Sequence, residues 1–150
     1  MEYKKFGDLV YIRMDRGDEI IETIKMVCQK EQIRSATFSG IGGCGDAEIQ
    51  TYIPETNSFE IRKLQGMLEL VSLTGNIVQE EDGSYTHHTH GMFAYKEGEK
   101  HKVAGGHLKT IGVSYTAELE LRPVIGERIM HKYDEETGTG FWTFAEGLDD

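Results

Sequence analysis

The strongest constraint on the fold of this chain is a change of hydrophobic period near residue 33. Before that point, the segment GDEIIETIKMVCQKEQI carries apolar side chains at helical spacing, on one face: Ile20, Ile21, Ile24, Val27 and Cys28. Asp18 stands where a helix N-cap is expected. The pattern therefore predicts a helix over residues 18–32.

Beyond residue 33 apolar and polar residues alternate, which is the period of a β-strand with two different faces. Turn sequences such as PETN, EDG and EGE separate the alternating segments. These segments are IRSATFSG, AEIQTYI, SFEIRKL, LELVSLTGNIV, YTHHTHGMFAY, KHKVAGGHL and GVSYTAELEL. The LELVSL stretch is apolar on both faces, which predicts a central strand covered by the helix on one side. The expected fold class is α/β in the broad sense (α+β): a mostly antiparallel, mixed sheet with one main helix packed on it.

A chain of 150 residues has the length of one domain and can bury one core. Residues 1–150 contain no repeat and no linker, so they are interpreted as a single domain. Residues 126–150 form a mostly polar tail with three scattered aromatic side chains, Phe141, Trp142 and Phe144. We expect this tail to pack on the domain or on a neighbouring subunit.

The charge and the cysteines argue against several classes of partner. A formal net charge of -10 disfavours nucleic acid, because that affinity rests largely on Lys and Arg replacing counterions. No apolar run approaches the ~20 residues of a membrane span, and the start lacks the apolar centre of a secretory signal. Cys28 and Cys44 form no CxxC pair, as expected of reduced structural thiols. These features predict a cytoplasmic protein with no membrane partner.

The run GIGGCG at residues 40–45 has the glycine spacing of a dinucleotide-binding fingerprint. That site requires a helix directly after the glycines, so that the helix N-terminus can hold the pyrophosphate. The sequence that follows, DAEIQTYIPETN, is typical of a strand that ends at a proline. A glycine-rich turn between two strands is the preferred interpretation.

The stretch YTHHTHG at residues 85–91 holds three of the six histidines. Side chains alternate along a strand, so His88 and His90 share a face and His87 points to the other. With a two-residue loop at Glu97 and Gly98, the following hairpin sets His88 opposite His107, and His90 opposite Gly105.

Three imidazoles on one face suit Zn²⁺, or another divalent transition metal such as Ni²⁺, with a fourth position open. A shift of the pairing by one residue would send His107 to the other face and leave a solvated polar surface. The other histidines, His87, His101 and His131, are expected to be ordinary surface residues.

An open three-histidine metal site is also the outline of a hydrolytic centre, because a bound metal lowers the pKa of its water to ~7. Glu69 and Glu118 are the carboxylates available on strands to assist such a reaction. The chain has no G-x-S-x-G and no H-E-x-x-H. No catalytic residue is assigned, and a zinc-dependent hydrolase is the alternative to a binding module.

Five motifs, taken in order, resemble the PPC domain, the plant and prokaryote conserved domain: SGIGGCGDAEIQTY, LELVSLTGNI, HTH, AGGHL and YTAELEL. The resemblance runs from about residue 5 to residue 137. It implies a compact α/β fold, a homotrimer and, in stand-alone prokaryotic members, a metal held by histidines. At matching positions these histidines are His88, His90 and His107.

The family is often labelled as DNA-binding, because its plant members join the domain to AT-hooks. This chain has no Arg-Gly-Arg-Pro sequence, and we expect no further module beside the domain. The expected function is that of a homotrimeric metal-binding protein with a binding or regulatory role. A small molecule or an anion at the open metal position is the expected ligand.

Overall fold

The computed structural model describes residues 1–136 and 139–144 of the chain. In this part, one helix packs on a six-stranded sheet, and a separate two-stranded hairpin follows near the C-terminal end. The elements are β1 Glu2–Phe6, β2 Leu9–Asp15, α1 Ile20–Lys30, β3 Ser35–Ile53, a 3-10 turn Pro54–Thr56, β4 Ser58–Gln79, β5 Tyr85–Glu97, β6 Lys100–Pro123, β7 Met130–Asp134 and β8 Thr139–Thr143.

The large sheet has the strand order β1-β2-β6-β3-β4-β5, and β5 also pairs with β6. The pairs β3–β4, β4–β5, β5–β6 and β6–β3 therefore form a closed ring of strands. Every strand pair in the described part is antiparallel. The expectation of a mixed sheet is wrong. Strands β2 and β3, which α1 connects, run in the same direction, but β6 lies between them and pairs antiparallel with both.

Three strands of the structure are longer than predicted, because each joins two segments that the sequence pattern indicated as separate strands. The ranges Ser35–Ile53, Ser58–Gln79 and Lys100–Pro123 are each continuous. Register shifts interrupt the β3–β4 ladder between Gly40 and Gly42 and between Cys44 and Asp46. A bulge inserts an extra residue and bends the strand without ending it. Glycine-rich sequence therefore marks bends in these strands, and the expected turn at residues 40–45 is wrong.

The glycines of this run allow two strands to approach closely. A Cβ placed on Gly42 would lie 2.7 Å from the Thr116 carbonyl oxygen and 2.9 Å from the Ala117 Cα. Real Cβ atoms do not come that close to backbone atoms, so β3 can lie against β6 here only without a side chain. The strand continues to Ile53, so no helix N-terminus faces the glycines and the dinucleotide site is absent.

Helix α1 is capped by Glu19. Its Oε2 accepts a hydrogen bond from the Glu22 amide at 2.7 Å, and its Oε1 accepts one from the Ile111 amide at 2.7 Å. The expected cap, Asp18, instead accepts from the Asp15 amide and lies 3.2 Å from the Met1 amino group. Glu19 takes the role because its longer side chain can reach both the helix and β6.

The helix and the inner face of the sheet form one core. The residues of the predicted helical stripe are all buried. Strand β4 lies between β3 and β5, as predicted, and buries Leu68, Leu70 and Leu73 while Val71 is exposed. The helix, however, makes its main contacts with β6. At eleven residues, α1 is not long and apolar enough to span a membrane, and no other α-helix occurs in the described ranges.

The C-terminal hairpin of β7 and β8 contacts the same chain. The Trp142 indole donates to Asn76 Oδ1 at 3.2 Å, and His131 Nδ1 lies 3.2 Å from a Glu80 carboxylate oxygen. The Ile129 amide donates to the Ser35 hydroxyl at 3.2 Å. These contacts place the hairpin beside the end of β4 and the start of β3. Residues 145–150 of the predicted tail lie outside the described residues.

We expect Glu19→Ala to lower the free energy of unfolding by about 1–2 kcal/mol, because it removes the cap and leaves the Ile111 amide without its acceptor. Glu22→Ala, in the same turn, loses only an exposed ion pair with Lys25 and should change stability by less than about 0.5 kcal/mol. Urea unfolding of the two variants measures the difference. Equal losses would contradict the assignment of the cap.

Candidate metal centre

The β5–β6 hairpin sets the geometry of the candidate site. Its loop is Gly98 and Glu99, with Glu97 paired to Lys100, and not the expected Glu97 and Gly98. Gly98 has a φ of 62°, the positive value that a type II′ turn requires at its first loop position. With this loop His90, not His88, lies opposite His107. The predicted pairing is therefore wrong by two residues.

The three histidines nevertheless lie on one face, because a shift of two residues preserves the face of every side chain. The Nε2 atoms of His88 and His90 are 3.2 Å apart. The ring centroid of His107 lies 5.1 Å from that of His88 and 5.5 Å from that of His90. One ligand nitrogen from each ring falls within 4.8 Å of the others. The structure thus brings together all three residues singled out in the sequence.

The donor set fits a transition-metal ion. Zn–N bonds of ~2.0–2.1 Å at tetrahedral angles place ligand nitrogens about 3.4 Å apart. In this cluster the Nε2 atoms of His88 and His90 are 3.2 Å apart, and all three ligand nitrogens lie within 4.8 Å of one another. These distances include the spacing that a bound Zn²⁺ requires. His88 and His90 are exposed and His107 is half-buried, so a fourth coordination position would face solvent. In residues 1–136 and 139–144, no other group of three possible ligands meets in this way.

The surroundings keep two of these imidazoles neutral. Burial lowers the pKa of His107, and the neighbouring His88 and His90 rings lower it further. Burial likewise lowers the pKa of His88, followed by the effects of His90 and His131. Neutral imidazole is the form that ligates metal, so His88 and His107 are ready to bind at neutral pH.

The backbone around His107 is held from both sides. On β6, His107 pairs with His90 of β5 and with Gln50 of β3. This position closes the ring of four strands. A Cβ on Gly105 would lie within 3.1 Å of the Met92 Cα, so the GGH sequence lets β6 approach β5 beside the cluster. Ligands mounted on paired strands keep their relative positions better than ligands on loops.

The remaining histidines differ from one another. His87 points away from the cluster, as predicted, but it is half-buried, with Nδ1 2.9 Å from the Thr89 hydroxyl. Burial lowers the pKa of His87 to about 4. His131 has only 18% of its side chain exposed and contacts Glu80. The expectation of ordinary surface residues is wrong for both, because elements distant in sequence cover them. His101 is exposed.

A second polar group lies beside the cluster. His131 Nδ1 is 2.8 Å from the Thr86 hydroxyl and 3.2 Å from the Glu80 carboxylate. The Thr86 hydroxyl also donates a hydrogen bond to that carboxylate. Thr86 precedes His88 by two residues on β5, so the two share a face. The two strand carboxylates considered for a hydrolytic reaction lie elsewhere: Glu69 opposes Ala94, and Glu118 opposes strand β2. Sequence reasoning missed this group because residue 131 reaches it only through tertiary packing.

An apolar surface lies on the other side of the cluster. The Phe59 ring centroid is 6.3 Å from that of His107, and the Tyr52 ring centroid is 5.4 Å from that of Phe59. Ile61 pairs with Gln50, the β3 neighbour of His107. We call Tyr52, Phe59 and Ile61 the apolar shelf. The alternating pattern of SFEIRKL predicts that Phe59 and Ile61 share a strand face, but not that this face lies beside the histidines.

Comparison with known families and structures identifies relatives over nearly the whole chain. Residues 1–124 match the family model of the Plants and Prokaryotes Conserved (PCC) domain. A plant- and prokaryote-conserved (PPC) protein from Pyrococcus horikoshii is 30% identical, with a TM-score of 0.80 over 97% of this chain and 96% of its own. A metal-containing protein from Archaeoglobus fulgidus is 28% identical, with a TM-score of 0.80 over 95% of this chain and 99% of its own.

A third solved structure, from Bacteroides thetaiotaomicron, is described as a suspected DNA-binding protein. It is 23% identical, with a TM-score of 0.86 over 95% of this chain and 96% of its own, and at that identity it supports the fold alone. No curated protein matches the sequence. The match over residues 1–124 confirms the resemblance inferred from the motifs, and this chain belongs to the Plants and Prokaryotes Conserved domain family.

Proposed function

We propose that the protein binds one divalent transition-metal ion through His88, His90 and His107, with Zn²⁺ as the first choice. The observation that carries the proposal is the meeting of three ring nitrogens within 4.8 Å on one sheet face. The metal-containing relative from Archaeoglobus fulgidus supports it. Nickel or copper would compete for the same imidazoles, following the usual order of divalent affinities. Elemental analysis of protein from zinc-supplemented cells tests the proposal, and protein without bound metal would contradict it.

The role of the metal centre is binding or regulation. When bound, the metal offers an open position facing solvent, where a small molecule or an anion completes the coordination. The two cysteines are free and buried, and burial raises the pKa of each thiol to about 12, so neither is a reactive nucleophile. Free thiols of this kind support a reducing, cytoplasmic location.

We expect the protein to assemble as a homotrimer. Four apolar side chains, Ile41, Val71, Val103 and Tyr115, are each more than half exposed in the single chain. A contiguous patch of such side chains would mark an interaction surface, so they support self-association, and the number of three subunits is what the family resemblance implies. Light scattering should give a mass near three times the chain mass of 16.9 kDa. A mass equal to that of one chain would contradict the assembly.

A DNA-binding role receives little support from this chain, although relatives carry that description. The net charge is -10. Non-specific affinity for DNA comes from Lys and Arg side chains that release counterions, and an acidic protein pays a repulsive cost at every phosphate. We therefore propose a small-molecule role and not a nucleic-acid role for the metal centre.

A zinc-dependent hydrolase is the second candidate, and one observation favours it. The Glu80 carboxylate lies beside His131 Nδ1, which favours a proton on that nitrogen and leaves Nε2 as the basic atom. Such an imidazole can accept a proton from a nearby water. A bound metal would supply the water with a lowered pKa.

The hydrolase candidate predicts zinc-dependent turnover of an ester, amide or phosphate that falls about a hundredfold or more in His131→Ala. His101→Ala, an exposed histidine outside the group, should retain full turnover. A screen that compares zinc-loaded and metal-free protein measures both effects. Equal rates with and without zinc would leave the binding module as the function.

A further inference from the structure

The apolar shelf and the histidine cluster lie on one continuous face. His107 pairs with Gln50 on β3, and Gln50 pairs with Ile61 on β4. Cross-strand partners share a face, so the His107 imidazole and the Ile61 side chain point to the same side. Tyr52 is two residues beyond Gln50 and pairs with Phe59, which extends the same face along the β3–β4 hairpin.

The shelf is held in place although it is exposed. The Tyr52 hydroxyl donates to Asn57 Oδ1 at 3.0 Å, and Asn57 has a φ of 48° at the tip of the hairpin. The Tyr52 and Phe59 rings meet at an interplanar angle of 57°. Even so, Tyr52, Phe59 and Ile61 are 45%, 54% and 47% exposed. A pre-positioned apolar surface beside a polar anchor is the usual composition of a small-molecule site.

We propose that this face binds a small carboxylate that carries an aromatic ring, with the carboxylate on the metal and the ring on the shelf. The proposal rests on the metal site proposed for His88, His90 and His107. Three neutral imidazoles leave the charge of a divalent cation uncompensated, which favours an anionic oxygen ligand at the open position. The Phe59 ring centroid lies 6.3 Å from that of His107, so an aromatic surface stands beside the proposed metal ligands.

The size and composition of the shelf favour one aromatic ring. Exposed faces of Tyr52 and Phe59 offer an aromatic ring the offset or edge-to-face contacts that an aliphatic chain lacks. A stable protein partner would need about 800 Å² of surface, far more than three side chains supply. The ligand is therefore a small molecule and not a macromolecule.

The test uses the cobalt-loaded full chain, with phenylacetate and acetate as probes that differ by one ring. Cobalt absorption in the visible range reports both metal binding and ligand exchange at the open position. We expect phenylacetate to bind about tenfold more tightly than acetate, from aromatic contact energy on the order of one kcal/mol or slightly more. Phe59→Ala should bring the ratio of the two dissociation constants close to one.

Phe6→Ala is the matched control. Phe6 is 56% exposed and packs against Tyr11 with ring centroids 5.9 Å apart, much as Phe59 packs against Tyr52, but it lies on β1. It should keep the tenfold ratio. If it lowers the ratio as much as Phe59→Ala does, the shelf is not the binding surface.

The ratio in the unmodified protein tests the inference even if Phe59→Ala does not fold. If the protein binds cobalt but then binds phenylacetate and acetate with equal affinity, the proposed aromatic ligand is wrong and the metal site is supported. Burial of the shelf between subunits would give that same result and would overturn the ligand too. Failure to bind cobalt would instead overturn the metal site, and the ligand would lose its anchor with it.

Discussion

His107→Ala is expected to weaken metal binding by at least about a hundredfold. Removing a partner that only orients a ligand already costs roughly 10- to 100-fold in metal affinity, and His107 would be a direct ligand. His88→Ala and His90→Ala should have effects of the same size, because each removes one of three donors. Elemental analysis after dialysis against a weak chelator measures the loss.

His101→Ala is the matched control for these variants. His101 lies on the same strand as His107, but it is exposed and opposes Lys96 near the hairpin loop. His87→Ala should also keep its metal, since His87 points away from the cluster and contacts Thr89. Loss of metal in His87→Ala with retention in His88→Ala would show that the strand face is assigned incorrectly.

Gly42→Ala is expected to lower the free energy of unfolding by about 2–3 kcal/mol. The added methyl group would lie 2.7 Å from the Thr116 carbonyl oxygen and 2.8 Å from the Ala117 Cβ. Both belong to a paired strand that cannot move aside, so the β3–β6 ladder must separate locally. In a chain of this length, such a loss lowers the melting temperature by roughly 5–10 °C. Thermal unfolding followed by circular dichroism measures the change.

Gly140→Ala provides the comparison for Gly42. Gly140 is exposed on β8, and an added Cβ would meet its nearest neighbours at 3.9 Å, an ordinary contact distance. Alanine there should leave the melting temperature within about 2 °C of the unmodified protein. A similar loss in the two variants would indicate a general effect of replacing glycine and not a close approach of two strands.

Local sequence patterns were sufficient to predict the main elements of the fold. The helix is recognisable because its apolar residues all face one core, and the structure buries each of them. The helix cap was assigned to Asp18 and not to Glu19 because the deciding contact, with the Ile111 amide, joins residues 92 positions apart. Strand ends were also predicted incorrectly. Glycine breaks the alternating pattern in a bulge as it does in a turn, and only the pairing with β6 distinguishes the two.

The candidate site shows the same division between local and distant information. His88 and His90 share a face by strand periodicity alone, and the hairpin brings His107 to them. The predicted register was off by two residues because Gly98 occupies the first loop position and not the second. An even shift conserves the face, so the cluster survived the error. His131 and Phe59 could not be predicted to lie beside it, since no local pattern determines either contact.

The position of β6 in the sheet has a consequence for synthesis on the ribosome. Leu121, near the end of β6, pairs with Val10 of β2 and also with Phe38 of β3. At translation rates of ~5–20 residues per second, β2 waits roughly 5 to 20 s after it is made before this partner exists. Throughout that interval β2, with its apolar residues Val10, Ile12 and Met14, can pair on one edge with β1, but its other edge lacks its permanent partner strand. The nascent chain therefore presents an unpaired apolar edge that chaperones would recognise, and the sheet can close only when the last long strand has emerged.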